Sequence, residues 1–464
     1  MENNNANQTE PVNTPNAVPV NPVQANPAPV NAGIPKKSKK PLIIGLIVGA
    51  VLILGAVLAI ILLLKNDNPD TPDTPDKPAI VYPDPISMEN NGEFAYDFLR
   101  QAYAQDQRGE NIMVSPYSMD AVWRLAVEGA QGETKQEILD VIGVRSVQSF
   151  PQLKEANGLF VRDTFKDQMQ PDFVASFVGD LRYDSFQSAN AINDWVKEKT
   201  DGMINGILDD APSDDMMLML LNAIAMDEKW NSTFECDSTR SEEFTKADGE
   251  TMDTSMMNGD ADWYFKTDNA EGVVREYKAY SDGSAFEFVG ILPNGDVKEY
   301  LSKLSNAEIQ AMNDAKIANN SEEADGSVNK VSTGLPRFSY DYSIDKAMEV
   351  MQNLGINKAF DKENADFGAM VNLEGSDYEN FYIGKVLQKT HIELNEKGTK
   401  AAAVSALGGM ATSAIDDTEY NYYEVDFNKP FVYLIRDKAS QEVIFEGIVE
   451  TPEEWSGSTC SDED

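Results

Sequence analysis

A single histidine, His391, and two cysteines, Cys236 and Cys460, are all the imidazole and thiol chemistry this sequence holds. One histidine excludes a His-rich zinc site and leaves one candidate general base. No nucleophile or acid stands at motif spacing from it, so hydrolysis by this chain has little to build on. The cysteines have no metal-binding spacing, and Cys460 lies in a polar tail, so a fixed bridge is not expected. A different chemistry is open to residues 396–415, which begin Glu396-Lys397-Gly398-Thr399-Lys400-Ala401-Ala402-Ala403-Val404-Ser405. No proline occurs from Glu396 to Glu424, so every backbone N–H there can join a β-ladder. In an extended chain one face would carry Thr399, Ala401, Ala403, Ser405, Leu407, Gly409 and Ala411. That face is small or apolar and uncharged; Lys400 falls on the other. The stretch has few β-branched residues, so it is no ordinary strand. Its Ala, Gly and Ser content fits a flexible surface loop.

The elements that must position this stretch can be read from composition and pattern. Hydrophobic residues make up 42% of the 464, enough for a real core. Acidic residues number 78 against 38 basic. The first 65 residues carry Glu2 and Glu10 against five lysines, a net of +3, which leaves −43 of the total −40 to residues 66–464. Such a surface repels nucleic acid and sulfated polysaccharides and attracts basic partners. Plain solubility would account for the same charge.

Residues 1–40 are rich in Asn, Pro, Val and Ala and end in four lysines, which reads as a disordered N-terminus. Pro41 to Leu64 is uncharged and apolar, long enough for a transmembrane helix. The lysines before it put the N-terminus in the cytoplasm and the rest outside, as a single-pass cell-membrane protein with an uncleaved anchor. Residues 65–86 repeat Asp, Pro and Thr and read as an extended stalk. One domain is expected over 87–452, followed by an acidic polar tail, 453–464.

Within the domain, Phe94, Phe98, Leu99 and Ala102 have helical spacing. Ser118 to Gly129 is a second helix. Thr134 with Glu137 predicts a capping box for a third. Asn190 to Thr200 is helical, with Ile192, Trp195 and Val196 on its apolar side. Leu218 to Met226 is a continuous apolar run, as in a strand buried on both faces. Residues 272–277, 284–292, 328–339, 431–436 and 442–449 predict further strands. Helices early and strands late make the class α+β.

Several segments, in order, resemble those of the serpin family. They are Asn111-Ile112-Met113-Val114-Ser115-Pro116-Tyr117-Ser118, Gly129-Ala130-Gln131-Gly132-Glu133-Thr134, and Asn157-Gly158-Leu159-Phe160. Ile192-Asn193-Asp194-Trp195-Val196 with Thr200-Asp201-Gly202, Leu221-Asn222-Ala223-Ile224 and Lys229-Trp230 follow. Then come Pro336-Arg337-Phe338, Leu354-Gly355-Ile356, Phe427-Asn428-Lys429-Pro430-Phe431 and Leu434-Ile435-Arg436. Each is weak alone; in order, at near-family spacing over residues 87–452, they are specific. Glu396 to Ser405 is similar to the family's hinge, Glu-x-Gly-Thr-x-Ala-Ala-Ala-x-Ser/Thr.

The resemblance implies a serpin fold: early helices packed on a large mixed β-sheet, smaller sheets, and an exposed reactive-centre loop. It implies a monomeric serine protease inhibitor, not an enzyme, with no metal or cofactor. The hinge would be Glu396, Gly398, Thr399, Ala401, Ala402 and Ala403. Counting about seventeen residues on from Glu396, as the family does, puts the cleaved bond at Thr412–Ser413. Its small, uncharged neighbours suit an elastase-like serine protease, held as a covalent complex outside the cell. Ser115, Ser118, Asn193 and Asn222 would line the point where the sheet opens, and Trp230 the place where the hinge enters. Two departures stand out. The interval from Thr134 to Asn157 is short for the family, so no heparin partner is expected. Gln388 falls where the family usually has histidine, and its side chain can still hydrogen-bond Asn222. A non-inhibitory serpin serving as a surface binding module, an acidic adhesin, and an enzyme based on His391 are the competing readings.

Overall fold

The structure is a computed structural model that describes residues 91–106, 108–145, 148–344, 346–399 and 418–457. In chain order the helices are α1 (Asn91–Gln105), α2 (Pro116–Gly129), α3 (Gly132–Ile142), α4 (Pro171–Ser176), α5 (Asn190–Lys199), α6 (Val297–Leu301), α7 (Asn306–Asp314) and α8 (Ala347–Leu354). The strands are β1 (Ile112–Val114), β2 (Lys154–Arg162), β3 (Asp180–Asp184), β4 (Leu218–Ala225), β5 (Glu228–Lys229), β6 (Thr239–Thr245), β7 (Thr251–Asp260), β8 (Trp263–Lys266) and β9 (Ala270–Glu276). They continue with β10 (Phe286–Pro293), β11 (Ile317–Ala318), β12 (Val328–Pro336), β13 (Phe338–Ser343), β14 (Ile383–Asn395), β15 (Gly398–Thr399), β16 (Tyr420–Asp426), β17 (Phe431–Asp437) and β18 (Val443–Val449).

Helix α2 starts at Pro116, two residues ahead of the Ser118 expected from the pattern. Ser115 is its N-cap, with its side chain accepting from the Ser118 N–H, and proline is tolerated at the first turn because its missing N–H would be unpaired there. The capping box expected at Thr134 does not form. Helix α3 already begins at Gly132, so Thr134 lies inside it. Its hydroxyl instead accepts from Asp366 N–H at 2.9 Å, and the Glu137 carboxylate accepts from Asn357 and Lys358 N–H at 2.7 and 2.6 Å. After α3, residues 143–153 run into β2 with no helix among the described residues.

Three sheets result. The large one has the order β3-β2-β4-β14-β15-β5, with β13 on β14. It is mixed: β2·β3 and β4·β14 are parallel, while β2·β4 and β13·β14 are antiparallel. A second sheet has the order β1-β18-β17-β10-β9-β8-β11, and a third β16-β12-β7-β6. The strand expected over 328–339 is two strands. It breaks at Arg337, where the chain leaves the third sheet for the large one.

Every residue of β4 is buried, as its unbroken apolar run requires. Leu218, Leu220 and Ile224 face the main core, which also takes Phe98, Leu99, Trp123 and the inner residues of β17 and β18. Met219, Leu221, Ala223 and Ala225 face a smaller core, where α5 lays Ile192, Trp195 and Val196 over Phe160 of β2. Asn222 is the one polar residue in the strand, and it is fully buried.

Two expectations are corrected. No helix among the described residues is long and apolar enough to cross a membrane, and residues 41–64 lie outside them. The single-pass cell-membrane placement is therefore not supported and is set aside. Cys236 is disulfide-bonded, although a fixed bridge was not expected; Cys460, the other cysteine of the sequence, lies outside the described residues.

Glu446 of β18 is fully buried, and the hydrogen bond that bears on its carboxyl comes from the Leu99 backbone. Burial pushes it well above the usual carboxylate range, which favours its neutral form in the fold. The unfolded chain ionises the same group near pH 4.3, so stability is lost as pH rises past that value. Glu446→Met, of similar length and apolar, should stabilise the protein at pH 7 by about 1–3 kcal/mol. The gain should shrink toward pH 4. Urea midpoints at the two pH values check this, and an equal gain at both would contradict it.

Candidate functional site

The site lies along one seam of the large sheet, between β4 and β14. These strands are direct hydrogen-bonded neighbours, from Ile383↔Leu218 to His391↔Ala225. At its centre Gln388 stands opposite Asn222. Gln388 Nε2 donates to Asn222 Oδ1 at 2.7 Å and to Ser115 O at 2.9 Å. Its Oε1 accepts from Ser115 N–H at 3.0 Å. A neutral imidazole has one donor and one acceptor, so glutamine makes a bond there that histidine could not. Asn222 Nδ2 donates to Asn157 Oδ1 at 2.5 Å and to the Ser118 hydroxyl. Ser118 Oγ donates to Asn157 Oδ1 at 3.1 Å. Ser115 Oγ donates to Ile444 O at 2.6 Å, tying the N-terminus of α2 to the second sheet. Ser115, Ser118, Asn222 and Gln388 thus meet in one buried polar cluster at the seam.

Asn193 is not part of it. From α5 its Nδ2 donates to Leu208 O at 2.8 Å, and its Oδ1 accepts from Ile207 and Leu208 N–H at 2.9 and 3.0 Å. It clamps the chain after α5 on the outer side of the sheet. Asn157, quoted above only as part of a motif, takes its place in the cluster. Strand alternation could have shown this, because Asn157 pairs with Asn222 across β2 and β4.

At the upper end of the seam the chain turns through Glu396 and Lys397. Gly398 and Thr399 then come back as β15, held between β14 and β5. The first hinge residues are therefore already a strand, where a loop was expected. Gly398 has φ +149°, and a Cβ there would lie 2.1 Å from Glu228 O. Only glycine meets both conditions. Thr399 is buried, with its hydroxyl 2.7 Å from Tyr277 Oη. Ala401, Ala402, Ala403, Thr412 and Ser413 lie outside the described residues.

The turn is fastened on three sides. Arg337 Nε donates to both Glu396 carboxylate oxygens at 2.9 and 3.0 Å, and Thr239 Oγ1 donates to Oε1 at 2.5 Å. Trp230 N–H donates to Lys397 O and Trp230 Nε1 to Asn395 O, each at 2.9 Å. Its indole stacks on Tyr277 with ring centroids 4.5 Å apart. Trp230 thus stands where the hinge enters the sheet. Beside it, burial and then the Asp227 carboxylate push Glu228 up to about 7, against the opposing Lys154.

His391 has a partner that sequence spacing did not reveal. Asp341, opposite it on β13, lies 2.6 Å from His391 Nδ1, and this bond holds Asp341 below the usual carboxylate range. The other ring nitrogen is buried and reached by no hydroxyl among the described residues. The pair joins two strands and lacks a nucleophile. No group of three His, Cys, Asp or Glu side chains among the described residues could hold a metal.

The site is thus a closed β4–β14 seam with Gly398 and Thr399 seated as a short strand at its end. Residues 89–452 match the family model for Serpin (serine protease inhibitor), and the chain belongs to the serpin family. It is 29% identical over 385 residues to neuroserpin of Homo sapiens, covering 75% of this chain and 88% of that one. It is 28% identical over 393 residues to the leukocyte elastase inhibitor of Bos taurus, covering 78% and 98%. Among solved structures it resembles Tengpin, a thermophilic serpin in the native state. That match has a TM-score of 0.67 at 27% identity and covers 80% of this chain and 96% of that one. Serpins are in general protease inhibitors and not catalysts.

Gly398→Ala should drive residues 398 and 399 out of their slot. The loss of the Thr399–Tyr277 bond and the strain should lower stability by about 1–3 kcal/mol. Faster hydrogen exchange at Thr399 would show it; unchanged exchange would count against the seated hinge. Glu228 is raised from its ordinary 4.5 to about 7, so its contribution to stability is lost as pH rises across that window. Glu228→Gln should flatten the pH dependence of the urea midpoint between those limits, and a parallel shift at all pH values would rule this out.

Proposed function

We propose that this serpin inhibits an elastase-like serine protease as a suicide substrate. What carries the reading is the pair of small hinge residues, Gly398 and Thr399, seated as a strand at the head of a closed β4–β14 seam. The target's serine Oγ attacks the carbonyl carbon of Thr412. The Thr412–Ser413 C–N bond breaks, the proton passes to the leaving amine of Ser413, and an acyl ester joins the two proteins. The hinge then continues as a strand between β4 and β14, through Ala401, Ala402 and Ala403. Its inward side chains must be small, because both faces of β4 are already packed. The tethered protease is dragged with the loop. Distorting its oxyanion hole removes stabilisation worth about 3 kcal/mol and slows hydrolysis of the ester. A leukocyte elastase inhibitor stands among the relatives, and the absence of Arg or Lys near Thr412 argues against a trypsin-like target.

The opening point in this reading is the cluster of Ser115, Ser118, Asn222 and Gln388. Incubation with elastase should give a complex that survives SDS. Mass spectrometry of the released C-terminal peptide should begin at Ser413, give or take two residues. Complete cleavage with no complex would favour the non-inhibitory binding module instead.

A further inference from the structure

One half-buried carboxylate, on the far side of β4 from the seam, has no part in the chemistry above. Glu155 lies on β2, opposite Ile224 of β4. Its Oε2 accepts from Asn157 Nδ2 at 2.9 Å. The direction of the whole cluster follows from the backbone. Ser115 N–H is a donor by nature, so the Gln388 atom facing it must be Oε1. Nε2 therefore faces Asn222, which must present Oδ1. Asn222 Nδ2 is then turned to Asn157, which must also present its oxygen. Asn157 Nδ2 is left pointing at residue 155, which has to accept.

We propose that Glu155 is a positioning residue for sheet opening: its carboxylate holds Asn157 Nδ2, so that Asn157 keeps Oδ1 toward Asn222 Nδ2 and the Ser118 hydroxyl, the bonds that seat Asn222 for its partner Gln388 on β14. The proposal rests on the reading that these strands part when the loop enters. Without an acceptor at 155, Asn157 either keeps a buried N–H unpaired or turns its amide over. If it turns, two NH₂ groups face each other between β2 and β4, because Ser118 O and Gln388 hold the Asn222 amide as it is. Either outcome weakens the tie.

The groups around Glu155 are few. Tyr117 of α2 hydrogen-bonds it, Glu442 in turn acts on Tyr117, and β4 presents only Ile224 and its apolar neighbours. Burial raises the carboxyl, and the bonds from Asn157 and Tyr117 oppose that rise. A protonated Glu155 still accepts through its carbonyl oxygen, but more weakly than a carboxylate. The tie therefore loosens as Glu155 takes up a proton.

A synthetic peptide copying residues 399–412 serves as the incoming strand, and its rate of uptake is measured at pH 5 and pH 8. Glu155→Leu should take it up about tenfold faster than wild type. Glu155→Gln keeps an acceptor, so at pH 8 it should stay within about twofold, and it should lose the wild-type pH dependence. Hydrogen exchange is read in parallel. In Glu155→Leu the β4 and β14 amides should exchange faster while those of β17 and β18 do not change. Equal loss of protection in both sheets would mark a merely structural role and overturn the proposal, as would wild-type exchange at the seam. If wild type takes up no peptide, the insertion reading fails, while the exchange result still decides the role of Glu155. Should Glu155→Leu not fold, a Glu155→Gln pH profile identical to wild type would overturn it.

Discussion

The seam between β4 and β14 is the joint on which the rest of the molecule depends. Two parallel strands share one ladder there, with a buried amide pair at its centre. A strand placed between them would replace that one ladder with two. Each ladder bond is worth about 1 kcal/mol net, so the exchange favours the wider sheet once the seam has opened. The barrier lies in opening it. Neither strand can move without exposing amides that have no other partner inside the core, and such groups are costly to leave unmade.

The polar cluster explains why the seam holds. Asn222 sits in a strand whose other side chains are all apolar, and an unpaired amide in that position would destabilise the fold. Pairing with Gln388 satisfies it, and Ser115 links the same group to the N-cap of α2. Opening the sheet therefore also disturbs the start of a helix. The hinge is fastened in a related way. Glu396 and Arg337 form a largely buried ion pair, and burial of both charges offsets much of their attraction. What the pair contributes is register. It fixes the turn so that Gly398 meets Glu228 and Thr399 meets Tyr277.

The sequence made some of this legible and hid the rest for physical reasons. The apolar run of β4 announced a strand buried on both faces, and Trp230 lay in a recognisable motif. Strands β6 and β7 were not expected, because Thr239–Thr245 and Thr251–Asp260 are rich in Ser, Thr, Asp and Glu. The acids among them are poor strand formers and mask the β preference of the threonines, and the strands are ordered by neighbours distant in sequence. Asn193 sat in a family-like motif but binds its own loop, since a motif gives proximity along the chain and not the direction of a side chain. The capping box at Thr134 failed because a helix start is settled by the backbone before it, and Gln131 already occupies that position. Gln388 was read as able to bond Asn222; its double contact with the Ser115 backbone depended on a residue 273 positions away.

The charge takes on more meaning once the basic residues are located. Arg124 and Arg145 meet the buried Asp120, and Arg145 also meets Glu442. Arg436 is buried against Glu287, and Arg337 is bound to Glu396. Arg162 is spent on three backbone carbonyls, and Arg275 on two. Much of the arginine is thus consumed in holding the fold. Each of these ion pairs takes up an acid for its arginine and leaves the balance unchanged, so the outer field carries the acidic excess. A field of that sign steers basic partners toward the surface and works through the rate of encounter more than through the strength of the final contact.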